Sequence, residues 1–310
     1  MSHWKQARWP FVVFVLIEVV IFGSGSAVTK FAYDSITPLW CLAARFGLAT
    51  AVFALFFGRR IVARLRNVKV RLWLPQALCM GISYLCCNVA LDLTTATNVG
   101  FLMALPVVFT PILAAVVLRR RYRLVHLPFQ VAVVGGLYLL CSSGGSFTFG
   151  WGELCGLLTA VSLAGALVFG ERGLARMDVV TVSATQIFAT FAFSLAGALL
   201  FDQPLDVAAV QPLAWGTVAF LALASTCLTF ALQNMALVRL PSATVSMLLT
   251  GEPIFTALSS WGVLGETLST AGLVGAAVIV VCVVAETWVD GRLDEKAGAA
   301  EGAAADTLPA

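Results

Sequence analysis

The sequence predicts an all-α membrane protein of ten transmembrane helices, arranged as two inverted five-helix repeats. Three observations lead there: the composition, the sorting of basic residues between loops, and a match of the chain with itself. Of 310 residues, 60% are hydrophobic and only 11% charged, where soluble domains carry about 25% charged residues. A soluble chain of this composition has too little polar surface to cover itself. Lipid as solvent removes that difficulty, and each crossing of a bilayer core roughly 30 Å thick takes about 20 apolar residues.

Apolar runs separated by polar breaks give spans at 11–31, 38–57, 72–91, 97–118 and 124–141, then 150–170, 178–200, 213–237, 242–264 and 270–289, each end uncertain by about 2–4 residues. The chain then divides into a cytoplasmic N-terminus (1–10), a first repeat (11–143), a second repeat (144–289) and a tail (290–310). The tail from Gly291 is rich in Ala, Gly and acidic residues and is expected to be disordered. The first run, with Lys5 and Arg8 ahead of it and the small residues Gly23 to Ala27 within it, also has the layout of a cleaved signal peptide. Its removal would leave nine spans and break the repeat, so it is read as a helix.

Basic residues set the orientation, because cytoplasmic loops carry the excess of Lys and Arg. With the loops numbered alternately from an inside N-terminus, all of the 19 basic residues except Lys30 and Arg45 fall inside. The largest groups run from Arg59 to Arg71 and from Arg119 to Arg123. Outside loops hold Asp34, Asp92, Asp202, Asp206 and Glu266 instead. Both termini are therefore expected in the cytoplasm, with the protein in the cytoplasmic (plasma) membrane.

Displaced by 146 residues without a gap, the chain meets itself: Asn88 on Asn234, Ala90 on Ala236, Leu91 on Leu237, Phe109 on Phe255 and Thr110 on Thr256. Each half has five spans, an odd number, so the second half enters the bilayer from the opposite side. Inverted repeats of this kind are common in secondary transporters.

Several segments carry a family resemblance. Phe22-Gly23-Ser24-Gly25-Ser26, followed by Lys30-Phe31-Ala32, is similar to the helix-1 segment of the drug/metabolite transporter superfamily in its ten-helix, two-repeat EamA form. So are Pro38 with Arg45-Phe46, Asn234-Met235-Ala236-Leu237 with Pro241-Ser242-Ala243, and Glu252-Pro253-Ile254-Phe255 with Gly265-Glu266. The resemblance spans about residues 11–289. It departs at Phe22, where the family has Trp, and at Arg119-Arg120, where it often has Gly-Glu. The resemblance implies a carrier of small metabolites, such as amino acids, drugs or sugars, without choosing among them.

Ionisable side chains inside a bilayer are costly, about 2.5–3.5 kcal/mol at the centre on insertion scales, so the few present mark candidate sites. Glu18, near the middle of helix 1, is the proton-coupling candidate: an acid there takes a proton while buried and releases it when water arrives. Glu252 precedes Pro253, which frees a backbone carbonyl and kinks helix 9; Pro106 is its neighbour-in-register in the first half. Arg45 stays charged and holds a solute carboxylate or pairs with an acid. Tyr84 and Asn88, and Phe230 and Asn234 with Gln233 alongside, are spaced to share helix faces. They line a cavity together with Phe22, or bond between helices. Lys30 is read as snorkelling to the interface. Trp40, Trp151, Trp215, Trp261 and Trp288 form the interfacial belt.

No cofactor, metal site, catalytic residue or nucleic-acid partner is expected; the partners are a small-molecule solute and the lipid bilayer. The eight cysteines sit in apolar runs without a C-x-x-C pair. An intramembrane protease lacks support, since H-E-x-x-H is absent and of His3 and His126 neither lies at membrane depth to activate a serine. A receptor or scaffold that carries nothing across is the remaining alternative. The reading adopted is alternating-access transport, with export and proton coupling as its preferred form.

Overall fold

A computed structural model describes residues 8–94, 96–119, 124–141, 150–264 and 269–305. Lys5, the cluster Arg120–Arg123, Gly265 and Glu266 lie outside these. The regular structure among the described residues is helical, without a strand. The first half comprises α1 (Trp9–Tyr33), α2 (Pro38–Arg66), α3 (Val70–Leu93), α4 (Ala96–Met103), α5 (Pro106–Val117) and α6 (Leu127–Cys141). The second comprises α7 (Trp151–Leu174), α8 (Val179–Phe201), α9 (Pro212–Ala222), α10 (Thr229–Leu237), α11 (Ser242–Leu249), α12 (Glu252–Leu264) and α13 (Thr270–Ala305). Taking α4 with α5, α9 with α10 and α11 with α12 gives ten spans. Pro10, Pro38, Pro106 and Pro212 open the first turns of α1, α2, α5 and α9, where a missing N–H costs nothing.

Two spans that read as continuous in sequence are broken at equivalent places. α4 and α11 end at Met103 and Leu249; α5 and α12 begin at Pro106 and Glu252. All four boundaries differ by the same 146-residue displacement found in the sequence. Proline at the first position of α5 and the second of α12 cannot donate to the preceding turn, so the helix restarts there. A third span is interrupted differently: Leu223–Leu228, between α9 and α10, is a π-helical turn. Its counterpart, residues 77–82 of α3, is ordinary α-helix.

The packing obeys a two-fold exchange of halves. α3 lies along α7 as α1 lies along α9 and α10; α1 packs on α12 and α11 as α7 packs on α5 and α4. α2 with α8 and α6 with α13 are pairs that the exchange maps onto themselves. The strongest contacts therefore run between halves, and neither half forms a bundle alone. Tyr84 and Phe230, which are 146 residues apart, touch ring to ring at 6.1 Å and so mark the pseudo-two-fold axis.

Contacts between helix ends respect the sorting of the loops. Arg60 and Arg64 at the end of α2 pair with Asp178 at the start of α8, at 3.0 and 3.8 Å. On the same side Glu171 accepts the backbone N–H of Ser242 at 2.8 Å, and His126 meets Glu286 at 3.0 Å. At the other end Thr37 donates to Asp202, Trp40 to the carbonyl of Gln203, and Thr94 to Glu153. No such contact joins a predicted inside end to a predicted outside end among the described residues. The outer wall is apolar: Leu55, Phe56, Leu200 and Phe201 are 71–80% exposed, a surface that lipid tolerates and water does not.

One local result differs from the sequence expectations. α13 runs helically to Ala305, so the expected disorder from Gly291 is corrected. Ala, Glu, Lys and Arg are strong helix formers, and they extend the last span beyond its apolar part. Arg119, which the displacement places opposite Gly265, takes the left-handed φ of 54° at the end of α5, a helix-ending conformation that usually falls to glycine.

α6 and α13 cross at paired glycines. A Cβ on Gly275 would stand 2.4 Å from the Gly136 carbonyl oxygen and 2.6 Å from the Leu140 nitrogen, both backbone atoms that cannot move aside. Gly216, in α9, has nothing within 4 Å of its would-be Cβ. Gly275→Ala is expected to destabilise by about 1–3 kcal/mol, whereas Gly216→Ala gains about 0.5–1 kcal/mol of helix propensity. Thermal unfolding of the two purified variants in detergent checks the contrast.

Candidate functional site

The site is built where the broken span, the π turn and helix 1 meet. Glu18 and Phe22 are one helical turn apart on α1 and share a face. α1 can approach α12 because residue 23 is glycine: a Cβ there would lie 2.6 Å from Phe255 Cβ and 2.8 Å from the Thr256 nitrogen. The close crossing brings Glu18 towards Glu252, the first residue of α12. An acid is well placed at that helix start, where unpaired N–H groups concentrate positive potential.

Glu18 is 2% exposed and its Oε2 makes no hydrogen bond to a described residue. The charge of Glu252 acts on Glu18, that of Arg45 acts on Glu252, and Tyr84 lies within reach of all three. Arg45 comes from α2. Its Nε donates to Thr226 Oγ1 at 2.6 Å; its Nη2 donates to the Ser225 carbonyl at 2.6 Å and to Ser225 Oγ at 3.2 Å. The guanidinium carbon stands 5.6 Å from the Phe22 ring centre and 5.3 Å from that of Phe46, within cation–π range. The aromatic wall continues from Phe46 to Tyr84 at 4.9 Å and to Phe230 at 5.9 Å. Two acids, one arginine and four aromatic rings thus face each other across both halves.

Of the residues singled out in the sequence, the structure brings together Glu18, Phe22, Arg45, Tyr84, Phe230 and Glu252. Asn88 donates to the Tyr84 carbonyl of its own helix at 2.9 Å. Asn234 is fully buried and donates to Ser183 Oγ at 3.0 Å, Gln186 Oε1 at 2.8 Å and the Phe230 carbonyl at 2.9 Å. It ties α10 to α8. Gln233 is buried one turn beyond Phe230. Pro253 supports the break beside Glu252. Pro106 starts the equivalent helix α5, whose neighbour Val107 belongs to a different apolar cluster with Met247 and Ile279.

Sequence reasoning missed Ser225 and Thr226, the oxygens that hold Arg45. Their one signal was a hydroxyl pair inside the apolar run Leu221 to Phe230. Phe46 appeared only as part of a motif. A hollow of about 370 Å³ lined by Trp40, Leu199, Asp202 and Leu205 lies at the start of α2 and the end of α8, away from these charges. It is apolar, and its one acid is already bound by Thr37. Among the described residues no three His, Cys, Asp or Glu side chains converge as a metal site.

Comparison with known proteins fits this arrangement. A family model described as the EamA-like transporter family matches residues 9–142 and again 150–285, once in each half. The protein named threonine/homoserine exporter RhtA of Escherichia coli K12 is 28% identical over 288 residues, covering 91% of this chain and 93% of that protein. An uncharacterized transporter of Archaeoglobus fulgidus is 25% identical over 268 residues, covering 86% and 82%. A protein of known crystal structure superposes with a TM-score of 0.79 at 20% identity, covering 93% of this chain and 99% of the other; that likeness concerns the fold.

The two asparagines, equivalent by sequence, differ in their bonds and should differ in cost. Asn234→Ala removes an interhelical tie and is expected to destabilise by about 1–2 kcal/mol. Asn88→Ala removes a bond within one helix and costs less than about 1 kcal/mol. Chemical unfolding of both variants in mixed micelles measures the difference.

Proposed function

The chain belongs to the EamA-like transporter family, and we propose that it is a proton-coupled secondary exporter of small amino-acid-like solutes, working by alternating access in the cytoplasmic membrane with both termini inside. Membership in the family supports a small-solute transporter. The exporter names of its relatives support the direction and the solute class. One observation carries the finer reading: a buried carboxylate oxygen of Glu18 without a hydrogen-bond partner among the described residues, set against Glu252 and Arg45.

The charges explain why such a site would exchange a solute for a proton. With both acids ionised, the cluster has one negative charge more than Arg45 balances. Carrying that excess through an apolar environment is costly. A proton on Glu18 removes it; a zwitterionic amino acid adds no net charge, but its ammonium group pairs with the ionised Glu18 and so competes with that proton. The empty site would then return protonated and the loaded site travel deprotonated. The carboxylate of an amino acid would face Arg45, and its side chain the rings of Phe22, Tyr84 and Phe230. Pseudo-symmetry supplies two states of similar energy, because the packing of the two halves can be interchanged.

In proteoliposomes with an acid interior, the protein is expected to accumulate L-threonine inside, against its gradient, as protons leave. Glu18→Gln should lose this accumulation. Unchanged accumulation with unchanged pH dependence in Glu18→Gln would show that Glu18 carries no proton in the cycle.

A further inference from the structure

Arg45 is a buried cation, 8% exposed, whose contacts are hydroxyls, a carbonyl and aromatic faces. It forms no ion pair with a described residue, although Glu252 is near enough to feel its charge. A guanidinium has five donors. Three are used on Ser225 and Thr226, and the two on Nη1 make no hydrogen bond to a described residue. A buried charge without a direct counter-ion is an expensive arrangement, and it leaves a seat for an anion.

The partners of Arg45 both belong to the π turn Leu223–Leu228. The equivalent stretch of α3 is α-helical, so the turn is a departure from the repeat at the one place where the arginine arrives. Single π turns inside helices recur at functional sites, because they re-aim backbone carbonyls out of the regular ladder. Here the re-aimed Ser225 carbonyl is the acceptor for Nη2. A carboxylate takes a guanidinium best in a two-pronged fashion. Both pairs of adjacent N–H groups on Arg45 include Nη2, which Ser225 occupies. A two-pronged carboxylate therefore has to displace Ser225.

We propose that the π turn is a carboxylate-operated switch: Arg45 exchanges Ser225 and Thr226 for the carboxylate of the solute, and the released turn reports occupancy to α1. The inference rests on the amino-acid-like solute class of the preceding reading and adds how Arg45 is freed for the carboxylate and what moves. The route to α1 is short, since a Cβ on Gly25 would stand 3.1 Å from Ser225 Oγ, and Gly25 lies on the helix that carries Glu18 and Phe22. Ser225 and Thr226 are positioning residues that compete with the solute for Arg45. Deleting a competing hydroxyl raises the energy of the empty site more than that of the filled one.

L-Threonine and L-threoninamide differ only in the carboxylate and are the probes. Titration calorimetry of the purified full chain should show the wild type preferring L-threonine by at least tenfold. Thr226→Val should tighten L-threonine about fivefold or more and leave L-threoninamide unchanged. Arg45→Lys, which lacks the fork, should abolish the preference. Amide exchange across residues 223–228 should change with L-threonine and not with L-threoninamide. A wild type that binds both probes equally, or a Thr226→Val variant that shifts both alike or weakens L-threonine, would overturn the switch and leave the transporter reading standing. Binding of neither probe would overturn the switch together with the amino-acid solute class.

Discussion

Water is absent from the bilayer core, so every backbone polar group placed there must find its partner within the protein, and every charge is costly. That constraint organises the whole molecule. It makes the spans helical, leaves Leu55, Phe56, Leu200 and Phe201 to face lipid, and drives the few intramembrane charges into one cluster. Glu18, Glu252 and Arg45 come from three helices of two different halves. They share a site because none of them is tolerable alone. Gly23 and Gly25 let α1 come close enough to both α12 and the π turn for the cluster to form.

The inverted repeat supplies the frame, and its departures supply the chemistry. Breaks at equivalent positions of α4–α5 and α11–α12 are symmetric, yet Glu252 stands where the first half has Pro106. Asn88 and Asn234 are equivalent, yet only Asn234 crosses to α8. The π turn has no counterpart in α3. A perfectly symmetric pair of halves would place identical groups on either side of the axis. Tyr84 facing Phe230 shows what such a placement looks like: an aromatic contact with a single hydroxyl. Arg45, Glu18 and Glu252 supply the asymmetry that this contact lacks.

Much of this was legible in the sequence, for physical reasons. Length and hydropathy fix the spans because the bilayer sets one thickness for all of them. The Asn88–Asn234 displacement survives folding intact, and it predicts the boundaries of α11 and α12 from those of α4 and α5. Rare intramembrane charges announced Glu18, Arg45 and Glu252, because each is costly wherever it stands. Other features were hidden. The π turn leaves no compositional mark beyond Ser225-Thr226. Whether Asn88 bonds within its helix and Asn234 across to α8 depends on the rotation of each helix, which a shared i, i+4 spacing does not specify. The helical course of α13 to Ala305 reflects backbone propensity rather than apolar surface, so a reading based on packing passed over it.

Alternating access requires one buried site that opens to each side of the membrane in turn. Phe22→Cys in a protein stripped of its own cysteines places a reporter beside Arg45. Membrane-impermeant thiol reagents applied separately to the two faces of sealed vesicles then read its accessibility. Labelling from both faces, slowed from both by L-threonine, is the predicted result. Labelling confined to one face, or indifferent to the solute, would contradict it.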